Sequence, residues 1–364
     1  MEFQRIPHPA PTAAAIRDEA IVDPGFGKVF TDHMAVIDYD EGAEGSVAGG
    51  WHSATLGPRQ PIPLDPAASV LHYAQEIFEG MKAYRLADGS MALFRPLENA
   101  RRYNASARRM AMPELPEELF LESVRQVVEA DKAWFPPVEG GSLYIRPFMF
   151  ATEAFLGVRP AKQYKHCVIV SAAGNYFKSG SPAVSIWVSE YTRAAPGGTG
   201  AAKTGGNYAA SLVPTGEAFA KGHDQVLFLD AVEKKWIEEL GGMNLFFVMN
   251  DGRVITPPLT GTILPGITRD SLITLLREEG LEVSEEMYSL DQWRDDAQSG
   301  KLVETMACGT AAVVTPVGTI EGKDGKFNIG NGGPGELTSK IRERLVGIQR
   351  GTVEDTHGWV TKLD

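Results

Sequence analysis

The segment Gly197-Gly-Thr-Gly-Ala-Ala-Lys203-Thr-Gly-Gly-Asn-Tyr208 sets glycines on both sides of one lysine, so little side-chain bulk separates that amine from an approaching molecule. A lysine shielded from water, or placed beside another cation, gives up its proton more readily, and the free amine can then form a Schiff base with a carbonyl. Lys203 is therefore the candidate for covalent chemistry. A solvated lysine in a flexible loop is the ordinary alternative, since lysines are almost always exposed. A nucleotide P-loop is the other, because Gly197-x-x-x-x-Ala202-Lys203-Thr204 nearly spells the phosphate-cradling pattern. Ala202 replaces the glycine before the lysine, however, and Gly205-Gly206 weakens the helix start that would receive the phosphates.

Other catalytic signatures are missing from the sequence. The seven histidines (His8, His33, His52, His72, His166, His223 and His357) include no H-x-x-x-H or H-E-x-x-H pair, so no metal site is expected. No G-x-S-x-G elbow is present. The formal net charge of -12 over 364 residues would repel nucleic-acid phosphates and anionic lipid. Cys167 and Cys308 are the only cysteines, too few for a disulfide framework, which suits a reducing cytoplasm. The N-terminal stretch has no basic n-region followed by an apolar run, so secretion is not expected. No apolar run approaches the ~20 residues that a membrane-spanning helix needs.

The elements that must position Lys203 read as an α+β (mixed α/β) chain of two domains, the length being more than one hydrophobic core usually supports. Residues 1–177 are expected to form the smaller domain, 178–190 a linker centred on Lys178-Ser-Gly-Ser-Pro182, and 191–364 the larger domain with the lysine. In the first domain Asp88-Gly89 marks a hairpin. Leu121, Val124 and Val128 mark a helix after Pro116 that stops at Pro136-Pro137. Ser142–Phe148 is expected to be an edge strand or a strand end, because Pro147 lacks an N–H. In the second domain Val184–Val188, Gln225–Leu229, Met243–Val248 and Arg253–Ile255 read as a largely antiparallel sheet. Helices are expected from Thr268 to Glu279 and after Pro334.

Lys203-Thr-Gly-Gly-Asn-Tyr-Ala-Ala-Ser-Leu212 closely resembles the cofactor-lysine motif of the branched-chain amino-acid aminotransferases, which are fold-type IV pyridoxal-phosphate enzymes. The resemblance continues in family order through Gly25–Met34, Leu71-His-Tyr-Ala-Gln-Glu-Ile-Phe-Glu-Gly-Met-Lys82, Glu239-Leu-Gly-Gly-Met-Asn-Leu-Phe246, Leu264-Pro-Gly-Ile-Thr-Arg269 and Gly309-Thr-Ala-Ala311. It implies a two-domain fold with pyridoxal 5'-phosphate at the domain interface, Schiff-base-linked to Lys203. It also implies that Glu239 faces the ring nitrogen, which needs a carboxylate partner if the ring is to withdraw electrons. Without the family, Glu239 would read as a charge on a solvated strand face. Tyr208 is assigned to the phenolic oxygen. Arg102, the amides of Ile267 and Thr268, and the Thr310 hydroxyl are assigned to the phosphate. Arg102 is preferred to Arg101 because its distance to Ser106 matches the family spacing.

Phe26, Tyr73, Tyr144 and Tyr176 match pocket positions of the family, and Arg146 matches the arginine for the distal carboxylate of glutamate. The Thr310-Ala311 turn is expected to meet the α-carboxylate through backbone N–H groups. The implied activity is ping-pong transamination of leucine, isoleucine and valine with 2-oxoglutarate in a cytoplasmic homodimer. D-amino-acid aminotransferases and aminodeoxychorismate lyases share Lys203 and Glu239 and are the nearest rivals. The animal enzymes carry a redox C-x-x-C where this chain has Ala312 and Thr315, so thiol control of that kind is not expected. Gly242 stands where some relatives have threonine.

Overall fold

The structure, a computed structural model, describes residues 1–174 and 183–363. The chain gathers into two compact units, one formed by Met1–Phe177, Ala202–Gly205 and Ile348–Asp364, the other by Lys178–Ala201 and Gly206–Gly347. The expected linker core Lys178–Pro182 lies outside the described residues, and Val184–Val188 is a strand. No helix among the described residues is long and apolar enough to cross a membrane.

The first unit is built on β1 (Gln4–Arg5), β2 (Val29–Asp40), β3 (Trp51–Pro58), β4 (Glu76–Phe78), β5 (Met81–Arg85), β6 (Met91–Phe94), β7 (Ser142–Ala151) and β8 (Gln163–Ala173). The order in its sheet is β1-β3-β2-β8-β7-β5-β6, with β4 also on β7. β5 and β6 meet as the Asp88-Gly89 turn predicts, Gly89 supplying a φ of 85°. Ser142–Phe148 departs from its expectation: β7 is an interior strand, flanked by β8 on one side and by β4 and β5 on the other. Pro147 is tolerated there because its side of the strand faces the Glu79-Gly80 break between β4 and β5, where the Glu79 amide donates to the Pro147 carbonyl oxygen at 2.7 Å. The missing donor falls where no ladder partner is required.

Helices Pro96–Arg109 and Glu117–Asp131 cover one face of this sheet, closing a core that includes Trp51, Ile77, Tyr103, Phe120 and Leu143. His166 of β8 ties both helices to the sheet. Ser123 donates its hydroxyl to the Phe120 carbonyl oxygen at 2.7 Å, so it can only accept from His166 Nε2, at 3.1 Å. Nδ1 then accepts the Tyr103 hydroxyl proton at 2.7 Å, which fixes the neutral tautomer.

The second unit holds β9 (Val184–Val188), β10 (Gln225–Leu229), β11 (Ile237–Leu240), β12 (Asn244–Met249), β13 (Arg253–Thr256), β14 (Glu282–Glu285), β15 (Leu302–Gly309), β16 (Val313–Gly322) and β17 (Gly325–Asn328). They run in the order β11-β10-β9-β16-β15-β12-β13-β14, with β17 on β16. The sheet is mixed, because β9 runs parallel to both β10 and β16, and β13 to β14. Helices Ile267–Glu278 and Glu336–Arg350 form where their leucine and isoleucine spacing predicts them, the first ending before Gly280 at a φ of 80°. β18 (Val360–Leu363) belongs to the first unit and pairs antiparallel with β6.

Burial pushes the His166 imidazole down to about 3. Its folded pKa lies below the ordinary unfolded value of about 6.5, so the fold takes up fewer protons than the unfolded chain between those limits, and stability falls as pH drops through that window. The His166→Gln variant keeps a donor and an acceptor without titrating. Urea unfolding followed from pH 6.5 down to 4 is expected to show a wild-type loss steeper than the variant's by up to about 1.4 kcal/mol per pH unit; parallel curves would refute the assignment.

Candidate active site

In the first unit the main chain around Lys203 is fixed on both sides. The Lys203 amide donates to Ser106 Oγ at 2.9 Å, from helix Pro96–Arg109. The Lys203 carbonyl oxygen accepts from the Phe78 amide at 3.0 Å, on β4. Thr204 Oγ1 donates to the Glu76 carbonyl oxygen at 2.8 Å, and the Gly205 amide donates to Glu76 Oε1. These bonds remove the P-loop reading, since the amides of Lys203 and Gly205 are already engaged by side-chain oxygens. Alternation along β4 turns Ile77 into the core and leaves Glu76 and Phe78 on the other face, only partly buried. Lys203 Nζ lies 4.8 Å from the centroid of the Phe78 ring.

Beside it stands a buried ion pair. Glu79 is 0% exposed and receives Arg102 Nε at 2.7 Å and Nη2 at 2.8 Å, with the Asn99 amide at 2.8 Å and the Gly80 N–H at 3.1 Å completing its shell. Burial alone would push the Glu79 carboxyl up, but the Arg102 guanidinium, then Lys203 and Asn99, hold it below the usual carboxylate range. Arg102, and not Arg101, is the arginine held inward. Arg101 is exposed and paired with Glu98 at 2.7 Å.

The structure brings three of the expected pocket residues together. The rings of Phe26 and Tyr144 meet edge to face at 4.7 Å, and Arg146 Nη2 donates to the Tyr144 hydroxyl at 2.9 Å. The Arg146 guanidinium lies 4.7 Å from the Phe78 centroid and 5.4 Å from that of Tyr144. Its Nε is buried with no hydrogen-bond partner among the described residues. Tyr73 is placed differently, half-exposed at the end of helix Ser69–Tyr73 with its hydroxyl donating to the Leu156 carbonyl oxygen. Tyr176 lies outside the described residues.

In the second unit Glu239 is on β11 and only 3% exposed, not on a solvated face. Its Oε1 sits 2.9 Å from Arg193 Nη2 and receives the Leu264 amide at 3.4 Å, while Asn244 Nδ2 donates to Oε2 at 3.3 Å. Asn244 also reaches the Leu264 carbonyl oxygen at 3.2 Å, so one side chain joins the carboxylate to the loop that enters helix Ile267–Glu278. Ile267 and Thr268 open that helix, where the dipole and backbone N–H groups favour an anion. Arg193 Nη1 donates to the Thr262 carbonyl oxygen at 3.1 Å. A Cβ on Gly200 would lie 2.5 Å from that same oxygen, which accounts for one glycine of the lysine motif by close approach. The adjacent Glu238 accepts from Thr262 Oγ1 at 2.6 Å, and burial pushes its carboxyl up against the pull of that hydroxyl and of Arg193. Tyr208 lies in the short helix Gly205–Ala209, and Thr310 and Ala311 form the turn between β15 and β16.

Sequence reasoning missed Phe78, Glu76, Glu79, Arg193 and the bridging role of Asn244. Glu76, Phe78, Glu79 and Asn244 stand inside the quoted blocks, but nothing in their spacing separates a residue of the site from one of the core. Arg193 lies outside the blocks and carries no local signal. Arg193→Met leaves the Glu239 carboxylate buried without its cation, a change that typically costs about 3–5 kcal/mol. Chemical denaturation is expected to show that loss, and an unchanged midpoint would mean that Arg193 does not neutralise Glu239.

The sequence pattern of the amino-transferase class IV family matches residues 76–320. A branched-chain-amino-acid aminotransferase of Mycolicibacterium smegmatis is 53% identical over 100% of this chain and 99% of its own, and one of Mycobacterium tuberculosis is 55% identical over 97% of this chain and 96% of its own. Among solved structures, the branched-chain amino acid aminotransferase of Escherichia coli superposes with a TM-score of 0.74 at 30% identity, over 92% of this chain and 99% of that one. A lysine motif held at the Lys203 and Gly205 amides, a clamped buried carboxylate and full-length identity above one half all lead to one conclusion: the chain belongs to the class IV aminotransferases, among the branched-chain-amino-acid aminotransferases.

Proposed function

We propose that this protein transfers the amino group of leucine, isoleucine and valine to 2-oxoglutarate, giving the branched 2-oxo acids and glutamate in two half-reactions, as a cytoplasmic homodimer that carries pyridoxal 5'-phosphate on Lys203. The observation that carries this reading is the Lys203 segment, whose main chain is held at successive positions while Nζ lies 4.8 Å from the Phe78 ring. The donor set has the chemical types that the cofactor's groups call for. Lys203 would hold its aldehyde carbon. Arg102, the Ile267 and Thr268 amides and the Thr310 hydroxyl would hold its phosphate. Glu239 would hold its ring nitrogen, and Tyr208 its phenolic oxygen. When bound, the cofactor supplies an electron-withdrawing ring that makes the α-proton of an amino acid removable.

The chain's own residues do the rest. Lys203 Nζ takes a proton from the Cα of the amino donor in one half-reaction and delivers one to the Cα of the glutamate being formed in the other, and the fixed main chain limits where that amine can reach. Arg193 and Asn244 orient the Glu239 carboxylate, so no reorganisation is needed when charge develops opposite it. Phe26, Phe78 and Tyr144 offer apolar surface to a branched side chain. Arg146 offers a carboxylate its Nε, a buried donor with no partner among the described residues. The Thr310-Ala311 turn is assigned to the α-carboxylate, and Tyr176 to the pocket wall. Tyr73 is assigned to the pocket as well, its hydroxyl bonded to the Leu156 carbonyl oxygen.

Borohydride reduction of the yellow protein followed by peptide mapping is expected to place the pyridoxyl group on Lys203, and Lys203→Ala is expected to abolish transamination. An adduct on any other lysine would overturn the assignment. For substrate choice, Arg146→Met removes a charge-assisted bond of about 1.5–3 kcal/mol, or roughly one to two orders of magnitude in rate, from the glutamate and 2-oxoglutarate half-reaction only. Single-turnover kinetics with each amino acid tests this, and equal losses for leucine and glutamate would show that Arg146 is merely structural.

A further inference from the structure

The structure assigns to Glu76 the role of a positioning residue for the reactive lysine, its side-chain oxygen acting as the hydrogen-bond acceptor that fixes the main chain just beyond Lys203 and hence the direction from which Nζ enters the site. This rests on the reading of Lys203 as the cofactor lysine. Glu76 grips the segment twice, through its carbonyl oxygen from Thr204 Oγ1 at 2.8 Å and through Oε1 from the Gly205 amide. Two residues along the same strand, the Phe78 amide holds the Lys203 carbonyl oxygen at 3.0 Å. Strand alternation puts the Glu76 side chain and the Phe78 ring on one face, so the strand that fixes the peptide also presents the ring beside Nζ. The approach is close: a Cβ on Gly205 would run into the Glu76 carboxylate, which would have to move aside.

The chemistry asks for an acceptor here, not for a charge. The Gly205 N–H needs one oxygen, which an amide side chain supplies as well as a carboxylate. Burial also pushes the Glu76 carboxyl up, against the pull of the Gly205 amide, Thr204 and the Arg146 charge, so the site does not favour a full negative charge. Glu76→Gln therefore keeps the grip and Glu76→Leu, of similar size, loses it. Gly205→Ala attacks the same contact from the other side by forcing the carboxylate away.

The test uses these three variants as holoenzymes, each with circular dichroism to establish folding. The readouts are kcat and KM for leucine, and the fraction of cofactor trapped on Lys203 by borohydride at equal loading. Glu76→Gln is expected within a few-fold of the wild type on every readout. Glu76→Leu and Gly205→Ala are expected to lower kcat about 10- to 100-fold, the scale that a misplacement of about 1 Å commands, with KM for leucine little changed and less cofactor trapped. Wild-type kcat in Glu76→Leu would overturn the inference. So would a defect in Glu76→Gln equal to that in Glu76→Leu, which would mean that charge is what matters, or a fall in kcat matched by a fall in folded protein. An adduct on another lysine in the wild type would overturn the lysine assignment itself, whereas undiminished trapping on Lys203 in Glu76→Leu overturns only the role of Glu76.

Discussion

The site depends on one constraint: a flexible lysine side chain is useful only if its main chain does not move. Four methylene groups already give the amine a wide reach, and freedom in the peptide would add to it. The molecule removes that freedom with bonds from two elements of the first unit, Ser106 on a helix and Glu76–Phe78 on a strand. Two glycines of the motif follow from close approach. Gly205 lets the backbone come within hydrogen-bonding distance of Glu76, and Gly200 lets the chain pass against the Thr262 carbonyl.

Each unit also handles buried charge in the same way. Glu79 and Glu239 are almost fully buried carboxylates, each given an arginine and an asparagine as partners. A buried ion pair of this sort adds little net stability, because desolvation opposes the Coulomb gain. What it does supply is a fixed orientation. Arg102 is gripped along its Nε–Nη2 edge, and Glu239 is held at both oxygens, so each of these charged groups presents a defined face without further ordering when a ligand arrives.

Much of the fold was legible because period and punctuation agree: the Asp88-Gly89 hairpin, the helix after Pro116 and the helix before Gly280 stand where the sequence puts them. Pro147 misled, since its significance depends on the Glu79-Gly80 break opposite it, which local sequence does not reveal. The lysine and Glu239 were readable as types at motif positions, but their partners were not. Arg102 and Glu79 are 23 residues apart, and Arg193, in the segment after β9, meets Glu239 on β11 only through tertiary structure. Phe26 illustrates the same limit. It was expected among the pocket residues, without its contact to Tyr144, and the ring that lies against both Lys203 and Arg146 is Phe78, which alternation along a three-residue strand turned to that face.

On the proposed assignment of Arg146 to the distal carboxylate of glutamate, the Phe78, Tyr144 and Arg146 group would also resolve a difficulty that transamination with two unlike partners creates. An ammonium ion set in an apolar wall would repel an isobutyl group, because its strongly held hydration shell must either stay or be stripped. A guanidinium is planar and more weakly hydrated, and it can lie against aromatic faces while its N–H groups point outward in the plane. Arg146 lies 4.7 Å from the Phe78 centroid and 5.4 Å from that of Tyr144, with Nη2 on the Tyr144 hydroxyl and Nε left to donate to a ligand's oxygen. The rings lower the cost of keeping the cation in apolar surroundings when a branched side chain is present, and the in-plane N–H remains for a carboxylate. On the proposed reading one wall would serve an alkyl group and an anion in turn, which a lysine at the same position could not do.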